Sequence, residues 1–209
     1  VNGHDARKSF FNERAAGWTE RCFGGSENSS TGRFESRFRR LFDLLPLAPN
    51  RCVLDAGCGA GVLAPRILEK IEPGGFLVEL DYAENMLFEN RRAHADKTIG
   101  LVAGDVHHLP LKRESVHTAV CFCCFPHFPD PAAALGSLYA VLRPGGSLSI
   151  AHFDRPGDLN RMHRKAHPAV ASDRLPGSAE MERLFAENGF SVRRFIEENG
   201  FYYIEGQRA

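Results

Sequence analysis

The segment Asp55-Ala56-Gly57-Cys58-Gly59-Ala60-Gly61 lies between the short apolar run Cys52-Val53-Leu54 and residues 62–71, which read as a helix. Glycines at alternate positions let a backbone turn sharply and approach a ligand without side-chain clash. The corner therefore leads from the end of a buried strand into a helix N-terminus, where N–H donors and the positive dipole end gather. A tight strand-to-helix corner needs no ligand, so the rest of the chain decides what it serves. The dinucleotide fingerprint G-x-G-x-x-G, counted from Gly57, needs a glycine where Val62 stands. Asp55, two residues before the first glycine, would repel a pyrophosphate but can accept hydrogen bonds from an ammonium group. The loop suits a zwitterionic, phosphate-free nucleoside better than NAD.

The remaining pattern extends this corner into a sheet. Residues 76–80, 99–103, 116–124 and 147–153 read as further strands, and residues 83–94 and 130–143 as helices between them, the latter starting at the N-cap pair Asp130-Pro131. Strand alternating with helix at this spacing predicts a parallel sheet with helices on both faces. Residues 158–166 and 179–188 read as helices, and 190–197 and 201–205 as two strands joined at Asn199-Gly200, a hairpin signal. Ahead of the sheet, residues 5–23 predict one helix and Phe34, Phe38, Leu41, Phe42 and Leu45 a second. Between them lies the glycine- and serine-rich stretch 24–32, a lid or a plain surface loop.

Two more acids fall at strand ends. Asp81 closes the strand 76–80, where a carboxylate can accept both hydroxyls of a ribose. Asp105 follows the strand 99–103, placed for an exocyclic adenine amine while Val106 packs the ring. With Asp55 they line the carboxyl ends of neighbouring parallel strands, where ligands of open α/β sheets bind.

Val53–Leu63, Leu80–Leu87, Gly104–Pro110 and Val141–Ile150 together resemble the class I S-adenosylmethionine-dependent methyltransferases, above all the branch of the ubiquinone and menaquinone C-methyltransferases, whose N-terminal segment Phe10–Trp18 is also similar. The resemblance implies a Rossmann-like methyltransferase fold: a seven-stranded, mostly parallel sheet with helices on both faces and a terminal antiparallel hairpin. It divides the chain into N-terminal helices with a lid-like loop over the site (1–45) and a methyltransferase domain (46–209) carrying a helical insert at about 154–178. It implies S-adenosyl-L-methionine as cofactor, with S-adenosyl-L-homocysteine as product. Asp55, Gly57, Cys58, Gly59 and Gly61 would hold the methionine part and Asp81 the ribose. Gly104, Asp105 and Val106 would meet the adenine, and Tyr82, Met86 and Cys121 would complete the set. His127, after strand 116–124, is the candidate base. Trp18, His152 and His163 are candidates for substrate contact, in or beside an insert that also holds Asn160, His167 and Asp173. Where relatives carry an aspartate near the start of that strand, this chain has His117.

The acceptor is narrowed by exclusion. Lys plus Arg equals Asp plus Glu, 26 each, so no net field draws the chain to nucleic acid. The segment Cys121–Asp130 also lacks the Asn/Asp-Pro-Pro-aromatic signature of nucleic-acid amino-methyltransferases. No window approaches the roughly twenty apolar residues of a membrane helix, and Val1–Asp5 has no leader pattern. The six cysteines do not form a disulfide framework in a chain of 209 residues, which fits a reducing cytoplasm. The 16 phenylalanines supply both a core and an apolar pocket, so the expected acceptor is a small apolar or aromatic molecule. Two other readings stand beside it. One is methylation of a metalloid or corrinoid-type acceptor through cysteines such as Cys123 and Cys124. The other is a non-catalytic cofactor- or metal-binding module built on the histidines. His163 and His167 share the i, i+4 spacing of metal ligands, but Pro168 disfavours helical geometry at His167, so no metal is assigned. Oligomeric state is not legible.

Overall fold

A computed structural model describes residues 3–24 and 31–209. Strands β1 (Cys52–Ala56), β2 (Phe76–Asp81), β3 (Ile99–Ala103), β4 (Val116–Phe122), β5 (Leu142–His152), β6 (Phe190–Glu198) and β7 (Phe201–Arg208) form one sheet in the order β3-β2-β1-β4-β5-β7-β6. The first five are parallel, and β7 runs antiparallel to both of its neighbours. This is the seven-stranded, mostly parallel arrangement with a terminal hairpin. The helices are α1 (Gly3–Arg14), α2 (Trp18–Phe23), α3 (Thr31–Leu44), α4 (Ala64–Ile71), α5 (Glu84–Ala93), α6 (Pro131–Val141), α7 (Pro156–Lys165) and α8 (Ser178–Glu187).

Side-chain alternation along the strands builds two cores. Leu54, Val78, Leu80, Ala119, Cys121, Leu148 and Ile150 pack on one face with Leu135 and Leu138 of α6 and Phe185 of α8. Val53, Leu77, Val120, Phe122 and Ala151 pack on the other with Phe38, Leu41 and Phe42 of α3 and Ile67 and Ile71 of α4. Both faces are covered, so the central strands are apolar almost throughout. Within β1 and β2, Asp55 and Glu79 are buried carboxyls paired in register and 1% and 0% exposed.

Several boundaries differ from the sequence reading, and four of them have a clear local reason. The helix expected over 5–23 breaks after Arg14, because Gly17 takes a left-handed φ of 65° and restarts the chain as α2. The helix expected from residue 62 starts at Ala64, after the loop has closed through Ala64 N–H on the Gly61 carbonyl at 3.1 Å. The strand expected to reach Cys124 ends at Phe122, since Cys123 adopts a φ of 54°. The helix expected to reach Arg143 stops at Val141, and Leu142 pairs with Val116 as the start of β5. Asp130 does cap α6, accepting from Ala133 N–H at 3.0 Å. Of the lid-like stretch 24–32, residues 25–30 lie outside the described residues.

Asn90 of α5 locks the glycine loop to the sheet. Its amide donates to Glu79 Oε2 at 2.7 Å and reaches Cys58 Sγ at 3.7 Å. Gly61 lies directly against it with a φ of +79°, and a Cβ there would stand 2.7 Å from the Asn90 side chain. Gly61→Ala combines overpacking with a left-handed alanine, and is expected to cost roughly 2–4 kcal/mol, read as a lowered urea midpoint.

Burial pushes the Glu79 carboxyl up from 4.5 to about 7, against the opposing hydrogen bonds of Cys58 and Asn90. The folded state therefore holds this proton more tightly than the unfolded chain. The associated stability is full below about 4.5 and is lost as pH rises through about 7. Thermal unfolding across that window should show the decline, and Glu79→Gln should flatten it.

Candidate active site

A cavity of about 430 Å³ opens at the carboxyl ends of β1, β2, β3 and β4, and α1, α2 and the insert after β5 reach over it. Its floor is the glycine loop, with Gly57 and Gly59 at φ 80° and 55°. A Cβ on Gly57 would stand 2.7 Å from Cys124 Cβ, so a larger residue would collide with the turn after β4. The loop spends its N–H groups inward. Gly57 and Cys58 donate to the Leu80 carbonyl at 2.7 and 3.0 Å, and Gly59 to Asp81 Oδ2 at 2.9 Å. A phosphate cradle needs those same donors turned toward the ligand, so this loop is not one.

Acceptor oxygen faces the ligand instead. Asp55 lines the cavity, and its Oδ1 has no hydrogen-bond partner. Burial, and then the neighbouring Glu79, push its carboxyl well above the usual carboxylate range. A buried carboxylate oxygen without a donor is costly, and a ligand ammonium group would satisfy it. Asp81 is raised to about 6 by burial, opposed by the backbone N–H groups of Ala83 and Gly59. Its Oδ1 accepts from Ala83 N–H at 2.8 Å. Each oxygen keeps a further lone pair for hydroxyl donors. Asp105 accepts from His107 N–H at 2.9 Å and approaches His107 Nδ1 at 2.5 Å. His107 also lines the cavity but was missed in the sequence, although Asp105-Val106-His107 carries the Asx-turn spacing that places it.

Cys58, Tyr82, Met86, Gly104 and Val106 also line the cavity. Gly61 and Cys121 do not. Gly61 backs onto Asn90. Cys121 shares the strand face of Ala119 and is wholly buried in the opposite core, whereas its neighbour Phe122 turns toward the cavity. Strand alternation therefore keeps the Cys121 side chain out of the cavity lining.

The cavity also has an aromatic wall and a group of histidines. Trp18 lies beside Phe11 with ring centroids 5.8 Å apart, over Gly59. Phe122 and Phe153 meet at 4.9 Å and Phe23 stacks on Phe122 at 5.5 Å. His127, His152 and His163 line the same cavity, with the His127 and His163 rings 5.1 Å apart. His152 is wholly buried with Nε2 unpartnered, and burial lowers it to about 3, so it is neutral near pH 7. Burial also lowers His163, whose Nδ1 meets the Asp173 carbonyl at 2.9 Å.

Cys123 and Cys124 are held as thiols. Burial pushes Cys123 up to about 12 and raises Cys124, which donates to the Ala56 carbonyl at 3.0 Å, well above the usual thiol value. Among the described residues no three His, Cys, Asp or Glu side chains form a group able to hold a metal ion, and no helix is long and apolar enough to cross a membrane.

Comparison with known proteins meets this geometry from another side. Residues 54–150 match the family described as "Methyltransferase domain". A demethylmenaquinone methyltransferase of Listeria monocytogenes is 28% identical over 173 residues, covering 71% of this chain and 73% of its own. An uncharacterized protein in a transposon of Streptomyces fradiae is 32% identical over 115 residues, 54% of this chain. The chain spans only 33% of that protein's length. Among solved structures, a SAM-dependent methyltransferase from Aquifex aeolicus superposes with a TM-score of 0.69 at 17% identity, over 97% of this chain and 98% of its own. With the strand order and the phosphate-free loop described above, these matches support a class I S-adenosylmethionine-dependent methyltransferase, with S-adenosylmethionine as its cofactor, that resembles the ubiquinone and menaquinone C-methyltransferase branch.

Proposed function

We propose that the enzyme methylates a small aromatic acceptor of quinol type, bound between the cofactor and the phenylalanine wall. The observation that carries this is the division of one cavity into two chemistries. One end presents the unpartnered Asp55 oxygen and Asp81, and the other presents Phe23, Phe122 and Phe153. Flat apolar surfaces favour flat apolar ligands, and the matched relative is named for demethylmenaquinone. The cofactor supplies an electrophilic methyl group. The chain supplies alignment and a dry pocket, which carry most of the acceleration such a transfer needs.

In this reading Asp55, Gly57, Cys58 and Gly59 bind the methionine part and Asp81 the ribose. Asp105 and Val106 bind the adenine, with Tyr82, Met86 and Gly104 beside them. Trp18, His152 and His163 contact the acceptor, and His127 takes its proton. Residues 1–45 act as a cover on the catalytic domain 46–209. The unpaired cysteines suit the cytoplasm, and a balanced charge suits a small molecule better than nucleic acid.

A panel of hydroxylated arenes and quinols, assayed for methyl transfer against amines, thiols and arsenite, tests the acceptor class. Turnover confined to arsenite would favour the cysteine reading instead. Calorimetric titration tests the cofactor site, with NAD as comparator. Asp55→Asn should weaken S-adenosylmethionine about 10- to 100-fold, the value of one charge-assisted hydrogen bond. Burial raises the Asp55 carboxyl well above the usual carboxylate range, and an ammonium group favours its ionised form. Wild-type affinity should therefore rise with pH, and the binding enthalpy should vary with the buffer's heat of ionisation.

A further inference from the structure

Asp173 does not line the cavity, yet it joins three parts of the chain beside it. Its side chain is 2% exposed. Arg7 of α1 grips both of its oxygens, Nε to Oδ2 at 3.1 Å and Nη2 to Oδ1 at 2.6 Å. His127 Nδ1 meets Oδ2 at 2.6 Å, and the Asp173 carbonyl takes His163 Nδ1 at 2.9 Å. Burial opposes ionisation of this carboxyl, but the hydrogen bonds of His127 and Arg7 outweigh it and hold it below the usual aspartate value. An ionised carboxylate only accepts hydrogen bonds. The proton in the His127–Asp173 contact therefore sits on Nδ1, and His127 Nε2 is left with its lone pair. The ring is further held by Phe11 at 5.0 Å and His163 at 5.1 Å.

A buried Arg–Asp pair alone could be a structural tie. Here its free acceptor capacity is spent on an imidazole that lines the cavity, and that changes its meaning. We propose that Asp173, clamped by Arg7, is the positioning residue that keeps His127 in the Nδ1–H form, with Nε2 as the base for the acceptor. The proposal rests on the methyltransferase reading above and narrows it to acceptors that must lose a proton, through a hydroxyl or an activated C–H. The acceptor's proton passes to His127 Nε2, and its electron pair forms the bond to the methyl carbon. The pair of the severed carbon–sulfur bond stays on sulfur. The charged and titratable groups around His127 are Asp173, Arg7, His163 and His152. Because Arg7 belongs to α1, the base is set in place only when the N-terminal helix is docked.

The test is Asp173→Asn, which keeps the size but can turn an N–H toward Nδ1 and drive the imidazole proton to Nε2. The expected result is a fall in kcat of roughly 10²- to 10⁴-fold, with acceptor KM and S-adenosylmethionine affinity little changed. Arg7→Lys keeps the charge but loses the two-point grip, and should fall between wild type and Asp173→Asn. Nitrogen-15 NMR of the intact protein reads the same point without turnover: His127 should appear as the Nδ1–H tautomer in the wild type and shift toward Nε2–H in Asp173→Asn. Wild-type His127 found as Nε2–H, or an Asp173→Asn protein that binds cofactor with unchanged kcat, would overturn the proposal. Wild-type protein that neither binds S-adenosylmethionine nor methylates any acceptor would overturn the methyltransferase reading instead, with the tautomer still measuring the clamp.

Discussion

Asp55 and Glu79 stand opposite one another in the β1–β2 register of a sheet covered on both faces. Carboxylates brought together out of water each disfavour the other's charge, and both are driven toward the protonated form. The neighbouring chain is arranged around that constraint. Asn90 gives its amide to Glu79, and Gly59 and Ala83 give backbone N–H groups to Asp81. Asp55 keeps an unmet oxygen, at the point where the cavity meets the strand end. The unmet oxygen offered to a hydrogen-bond donor thus arises from the sheet itself.

The same constraint explains why a loop so close to a dinucleotide fingerprint performs different chemistry. In a phosphate site the loop's N–H groups point at the ligand. Here Gly57, Cys58 and Gly59 turn theirs onto Leu80 and Asp81, which holds the β1 and β2 ends together and leaves acceptor oxygen toward the cavity. The positive φ of Gly57 makes this possible, and its missing side chain admits Cys124.

The aromatic wall of the cavity depends on the N-terminal helices as much as on the sheet. Alternation at the end of β4 turns Phe122 toward the cavity and Cys121 away from it. The reversal at Cys123 then carries the chain into the short turn bearing His127. Helix α1 is tied to α5 through Asn12, which accepts from Asn85 N–H at 2.9 Å, and to the insert through Arg7. The two walls of the cavity are therefore joined by polar contacts around an aromatic interior.

Much of this was legible in the sequence. Hydrophobic alternation, the glycine corner, the Asp130-Pro131 cap and the Asn199-Gly200 turn are local patterns, and local sterics and hydrogen bonding set their outcome. They were enough for the strand sequence, the hairpin and the placing of Asp55, Asp81 and Asp105 at strand ends. The helix break at Gly17 and the end of β4 were not legible, because a left-handed φ at Gly17 or Cys123 is chosen by what the flanking segments pack against. That the Cys121 side chain does not line the cavity was not legible for a related reason: proximity in sequence to a site does not say which face of a strand a side chain takes. The sequence by itself determined the α/β architecture and the chemistry offered at the strand ends. Only the tertiary structure decided that Asp55 lacks a partner, that Glu79 shares its environment, and that Arg7, His127 and Asp173 form one unit. Those relations join residues as many as 166 positions apart, and no local preference of the chain encodes their distance.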